Sequence, residues 1–220
     1  MHKEHKILFR GVKMKKIILL SLMLSVLGSS ALSAMDEDAL KGTKVKKFPF
    51  YIYDDFRSKL NNYIPSGWMG DHGDIKIQDN HKTDPKKGKT CMKIIYSAEK
   101  KQGAGWAGIY WQNPANNWGT QKGGFDLTGA KKILFYAKGE KGGEIMEVKF
   151  GGITGQYSDS DSASTGPIEL TKKWKLYEID LTDLDLSYIG GGFCVVFTAN
   201  DNPDGCTFYF DEVFYTDKVK

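Results

Sequence analysis

Short runs that alternate apolar with polar residues, parted by polar and glycine-bearing turns, recur from Phe48 onward. Residues 90–97 alternate most cleanly. Met92, Ile94 and Tyr96 fall on one side, and Cys91, Lys93 and Ile95 on the other. Residues 174–180 set Trp174 and Leu176 opposite Tyr177 and Ile179. In 105–111, Trp106, Gly108 and Tyr110 share one face, while Ala107, Ile109 and Trp111 share the other. The same pattern predicts strands over 48–56, 74–78, 132–137, 144–150 and 168–170. Strands over 192–198 and 207–215 are expected to form a closing hairpin around Asn202-Pro203-Asp204-Gly205. In the last strand Phe208, Phe210 and Phe214 would share a face, against Tyr209, Asp211 and Val213. Residues 61–71, 80–89, 119–129 and 156–166 read as loops, and the Asp-Leu repeats of 181–188 as a turn of helix. About nine or ten strands without crossover helices predict an all-β chain. The arrangement they fit best is an antiparallel β-sandwich of the jelly-roll type.

The first residues stand outside this pattern. Met14-Lys15-Lys16 precedes an apolar run over 17–28 and then Ser29-Ser30-Ala31-Leu32-Ser33-Ala34. A basic start, a short apolar stretch and small residues describe a secretory signal peptide over 1–34, with Met14 as the true start. An uncleaved membrane anchor is the other reading, but the run is short for a span. The mature protein would be secreted or periplasmic, without a membrane span. Residues 35–47 are charged and patternless, and read as a flexible lead-in to a single domain over 48–217.

Removing 1–34 reverses the charge. That segment holds six Lys/Arg and one acid, a net +5 against +4 for the whole chain, so the remainder is −1. Nucleic acid loses its electrostatic attraction as a partner. Cys91, Cys194 and Cys206 read as small buried hydrophobes in preference to a bridge, although export would permit one.

Candidate chemistry gathers in 105–119, which holds three of the five tryptophans. Aromatic faces can stack on the C–H faces of a sugar, and amides can bond its hydroxyls. Trp106, Tyr110, Trp111 and Trp118 are the candidate platform. Gln112, Asn113, Asn116 and Asn117 are the candidate hydrogen-bonding groups. Strand alternation divides the tryptophans between two faces, so the expectation rests on the loop from Trp111 to Trp118. Gly103-Ala-Gly-Trp-Ala-Gly108 spells a dinucleotide fingerprint, but strand-forming residues follow where a helix is required. Asn200, Asn202, Asp204, Gly205 and Asp211 mimic the spacing of a helical calcium loop, but strands flank them. His72 and His81, the only histidines beyond residue 34, lack the spacing of a zinc site or a nucleophilic triad.

Several phrases resemble a known group. They are Tyr53-Asp54-Asp55-Phe56, Pro65-Ser66-Gly67-Trp68, Gly105 to Trp111, Phe125-Asp-Leu-Thr-Gly-Ala130, Trp174 to Leu181 and Thr207-Phe-Tyr-Phe-Asp-Glu-Val213. In this order they resemble the galactose-binding-like β-jelly-roll modules attached as carbohydrate-binding modules to bacterial glycanases. The resemblance covers roughly residues 48–217. It implies a non-catalytic polysaccharide-binding role, a partner glycanase, and a structural calcium ion tying first strand to last. Asp54 or Asp55 together with Asp211 stand where it places acidic ligands. A small jelly-roll glycoside hydrolase or polysaccharide lyase is the alternative, and a structural or adhesive surface protein is another.

Overall fold

The structure is a computed structural model and describes residues 41–219. The signal peptide expected over 1–34 lies outside the described residues. The chain first forms β1 (Thr43–Lys44), β2 (Phe50–Tyr53), β3 (Ile64–Gly70), β4 (Ile75–His81), β5 (Cys91–Tyr96) and β6 (Trp106–Gln112). It continues through β7 (Phe125–Asp126), β8 (Lys132–Gly139), β9 (Ile145–Gly151) and β10 (Ser162–Glu169). Last come β11 (Lys175–Asp180), β12 (Gly191–Thr198) and β13 (Cys206–Thr216). One sheet runs β10-β9-β12-β6-β3. The other runs β11-β8-β13-β5-β4, with β2 added alongside β13. Every pairing within these two sheets is antiparallel. This is the all-β jelly-roll sandwich that the alternation implied.

The inward halves of the alternating strands make the core. Val148, Val195 and Ile109 lie in register across β9, β12 and β6 and are fully enclosed. Phe193 of β12 meets Phe210 of β13 edge-on at 5.6 Å and Phe135 of β8 at 5.8 Å, so aromatic rings bridge the sheets. Trp111 packs on Phe193 from the same side at 5.5 Å and 76°.

The structure departs from the sequence pattern in instructive places. β12 and β13 follow each other in the chain but belong to opposite sheets, so the expected closing hairpin is a crossover between layers. The last strand changes face midway. Its register shifts between Asp211 and Phe214, and Glu212 takes φ 50°. This bulge turns Val213 and Tyr215 into the core after Phe208 and Phe210, and leaves Phe214 only half-buried. Residues 64–70 read as loop because of Pro65, Gly67 and Gly70, yet they form edge strand β3, where proline is tolerated. Residues 156–166 also read as loop, yet β10 begins at Ser162. No helix forms over 181–188, where Leu184 N–H closes a turn onto the Leu181 carbonyl. The described part of the lead-in, 41–47, is held in place: β1 pairs parallel with β7, and Gly42 N–H bonds the Ser187 carbonyl.

Candidate functional site: the outer face of the five-stranded sheet

Residues that alternate with the core positions face away from it and build a continuous surface. Ser164, Lys149, Cys194, Tyr110 and Gly67 form one row across β10, β9, β12, β6 and β3. Pro167, Glu147, Val196, Gly108 and Met69 form the next, and Thr198 and Trp106 pair beyond it. Trp106 and Tyr110, four residues apart, stand about 13 Å from one another along the strand. Met69 lies against Gly108, where a side chain of any size would collide with its methyl group.

Tyr110 anchors the middle of the surface. Its hydroxyl donates to the Gly151 carbonyl at 2.6 Å, and burial holds its pKa well above the ordinary phenol value. Trp118 arrives from the loop after β6 and sets its ring edge-to-face on Tyr110, with centroids 6.0 Å apart and planes at 82°. Trp106 and Trp118 remain 38% and 41% exposed, enough to offer ring surface to a ligand. Beside Tyr110 lies a hollow of about 300 Å³, lined among others by Lys149, Gly151, Gly152, Ser162 and Ser164. At its side Glu147 accepts from Ser164 Oγ at 2.6 Å and pairs with Lys149 Nζ at 3.1 Å. Aromatic rings, hydroxyls and a self-neutralised ion pair therefore share one open face.

The loop that delivers Trp118 is built by amides. Gln112 Nε2 donates to the Asn117 carbonyl at 3.0 Å, and its Oε1 accepts from Ser66 Oγ at 2.9 Å. Asn117 Oδ1 accepts from the N–H groups of Gly119 and Gln121, and its Nδ2 donates to the Gln121 carbonyl. Asn113 bonds the Asn62 carbonyl and the Gly124 N–H. Gly119 turns the chain at φ 79°, where a Cβ would strike the Thr154 carbonyl.

Three of the eight residues expected to meet a sugar, Trp106, Tyr110 and Trp118, thus come together. Trp111 is 1% exposed and belongs to the core. Gln112 and Asn117 are enclosed and, like Asn113, have their amides engaged within the protein; Asn116 remains exposed on the loop. The expectation placed on the stretch from Trp111 to Trp118 narrows to Trp118, because the amides are used to shape the loop. Sequence reasoning passed over Lys149, Ser162, Ser164 and Met69. The alternation of 144–150 already put Glu147 and Lys149 on one face, and that was the available signal.

The outer face of the other sheet is closed differently. Lys138 Nζ sits over Trp174 at 5.1 Å and Tyr209 at 4.9 Å, and Lys93 Nζ over Tyr209 at 5.5 Å. Trp174 Nε1 donates to the Asp84 carbonyl. Its aromatic faces are already occupied by the protein's own ammonium groups.

The carboxylates expected to hold calcium are engaged by donors of the protein itself. Asp211 Oδ2 accepts the N–H groups of Lys86 and Lys87 at 2.7 and 3.0 Å, and its Oδ1 that of Glu212. Asp55 accepts from Thr90 Oγ1 and from the N–H groups of Phe56 and Lys89. Asp54 accepts from Ser58 Oγ. Both oxygens of Asp211 and of Asp55 are thus engaged, and one oxygen of Asp54. Among the described residues no three His, Cys, Asp or Glu side chains converge as metal ligands.

No protein-family model matches the chain, and no curated protein matches it. Solved structures do. A family 30 carbohydrate-binding module aligns with TM-score 0.54 and 17% identity over 80% of this chain and 90% of its own. The family 30 module of a cellulosomal cellulase from Clostridium thermocellum aligns with TM-score 0.53 and 16% identity, over 79% of this chain and all of its own. At this identity the likeness is one of fold. The chain has the β-jelly roll of carbohydrate-binding modules. Among the described residues no helix is long and apolar enough to cross a membrane.

Proposed function

We propose that the protein is an exported, non-catalytic polysaccharide-binding protein that works alone or beside a glycanase. The outer face of the five-stranded sheet is its binding surface. The observation that carries this reading is the assembly of Trp106, Tyr110 and Trp118 on one open face beside a hydroxyl-lined hollow. The separation of Trp106 from Tyr110 exceeds one sugar ring and suits a chain rather than a monosaccharide. Rings would stack on its apolar faces, while Ser162, Ser164 and the Glu147–Lys149 pair would meet its hydroxyls. A neutral glycan is favoured, because the Glu147–Lys149 pair cancels its own charge.

Glycoside hydrolysis requires two facing carboxyl groups. Here Glu147 is tied to Lys149 and Ser164, and the residues lining the hollow include no acid. That chemistry supports the non-catalytic reading. Affinity electrophoresis in gels containing soluble glucans, xylans, mannans or galactans tests it, with a reducing-end assay on the same polysaccharides. Retardation in at least one gel without release of reducing ends is expected. Free migration in every gel, or steady release of ends, would overturn it.

A further inference from the structure

The end of β9 and the loop after it, residues 151–160, touch both Tyr110 and the chain beside Trp118. The Gly151 carbonyl accepts the Tyr110 hydroxyl at 2.6 Å. The Gly119 carbonyl, one residue past Trp118, accepts the Tyr157 N–H at 2.9 Å. Two backbones meet here without side chains between them. A Cβ on Gly119 would lie 2.2 Å from the Thr154 carbonyl oxygen, and one on Gly155 would lie 2.7 Å from the Gly119 carbonyl oxygen. Where the 152–160 loop stands therefore decides where the chain carrying Trp118 can stand.

The loop is fastened by one carboxylate. Asp159 Oδ2 accepts the Ile153 N–H at 2.9 Å, within the loop. Its Oδ1 accepts the N–H groups of Gly190 and Gly191 at 2.5 and 3.2 Å, where β12 begins. The Asp159 N–H in turn bonds the Ile153 carbonyl at 2.9 Å. Hydrogen bonds to an ionised carboxylate are stronger than neutral ones. The group also lies close to the sugar face. A Cβ on Gly191 would meet the Tyr110 ring at 2.9 Å and Asp159 Oδ2 at 3.1 Å.

We propose that Asp159 is a positioning residue for the sugar face: its carboxylate holds the 152–160 loop against β12, and the held loop sets Trp118 on Tyr110. This rests on the proposed function only in taking that pair as the place where sugar stacks. Asp159 acts through the indole and does not itself meet the glycan.

Proton–nitrogen NMR and affinity electrophoresis on the full chain test the proposal. The variants are Asp159→Ala and Asp159→Asn, each alone and combined with Trp118→Ala. Asparagine keeps the size of the group but turns donor hydrogens toward backbone N–H donors. Without polysaccharide, the Trp118 indole signal should shift in both single variants, while those of Trp106, Trp111 and Trp174 stay in place. On a polysaccharide that retards the wild type, each single variant should lose up to the about 2- to 13-fold expected for removal of the indole. Added to Trp118→Ala, either change should cost less than about 2-fold more, because both act through one ring. A Trp118 signal that stays in place, or one that moves along with all the others, would overturn the proposal. So would a full additional loss in the double variants. Should Asp159→Ala not fold, Asp159→Asn carries every comparison to the same decision. A wild type that no polysaccharide retards would count against the binding reading alone, and the indole signals would still decide the role of Asp159.

Discussion

Replacing Trp118 by alanine should separate binding from folding. The indole is 41% exposed and sets its ring edge-to-face on Tyr110. The loop around it is held by Gln112, Asn117 and Gly119, none of which uses the indole. An aromatic pair of this geometry is worth about 0.5–1.5 kcal/mol beyond its buried area. In a domain of this size, loss of about 1 kcal/mol lowers Tm by about 2–4 °C. A sugar ring stacked on the same indole should be worth a similar amount, so affinity should fall about 2- to 13-fold. Titration calorimetry on a polysaccharide that retards the wild type, run beside a thermal melt, measures both. Unchanged affinity in a variant that folds would refute the assignment of Trp118. A collapse of the melting transition would show instead that the indole holds the loop.

Two other residues give independent checks. Burial pushes the Asp211 carboxyl up to about 6, despite the three N–H groups that favour its charged form. Against an ordinary value of about 4, the folded state holds this proton more tightly than the unfolded chain, so ionisation opposes folding. Its contribution should fall by about 2–3 kcal/mol as pH rises from about 4 to 6 and stay level above. Urea unfolding across that range should show the decline, and Asp211→Asn should flatten it; identical slopes would contradict the assignment. Gln112→Ala would leave the Ser66 hydroxyl and the Asn117 carbonyl without their partner at the base of the Trp118 loop. A cost of about 1–3 kcal/mol in urea unfolding is expected, together with weaker polysaccharide retention. Wild-type stability would show that the loop does not need this bridge.

The alternation of β6 was enough to separate Trp111 from Trp106 and Tyr110, because a strand has only two faces and the period is local. It could not show that Trp118, in the loop beyond the end of β6, returns to the Tyr110 side. That return depends on a hydrogen bond from Gln112 to Asn117 within the loop and on bonds of Ser66 with Gln112 and Asn116, which join segments distant in sequence. The bulge at Asp211–Glu212 was hidden for a related reason. A single residue at positive φ reverses the inward set of β13, yet neither side chain marks it. Proline and glycine in 64–70 spoke for a loop, but an edge strand accepts both. The resemblance pointed to acids on the first and last strands, and in the structure Asp55 and Asp211 accept hydrogen bonds from Thr90 and from backbone N–H groups.

Amide and indole NMR signals during titration with a retained polysaccharide test the central claim most directly. The claim is that sugar lies on the outer face of the five-stranded sheet. The indole N–H signals of Trp106 and Trp118 should shift together, while those of core Trp111 and of Trp174 on the opposite sheet stay in place. A shift of Trp174 with Trp106 and Trp118 unmoved would contradict it.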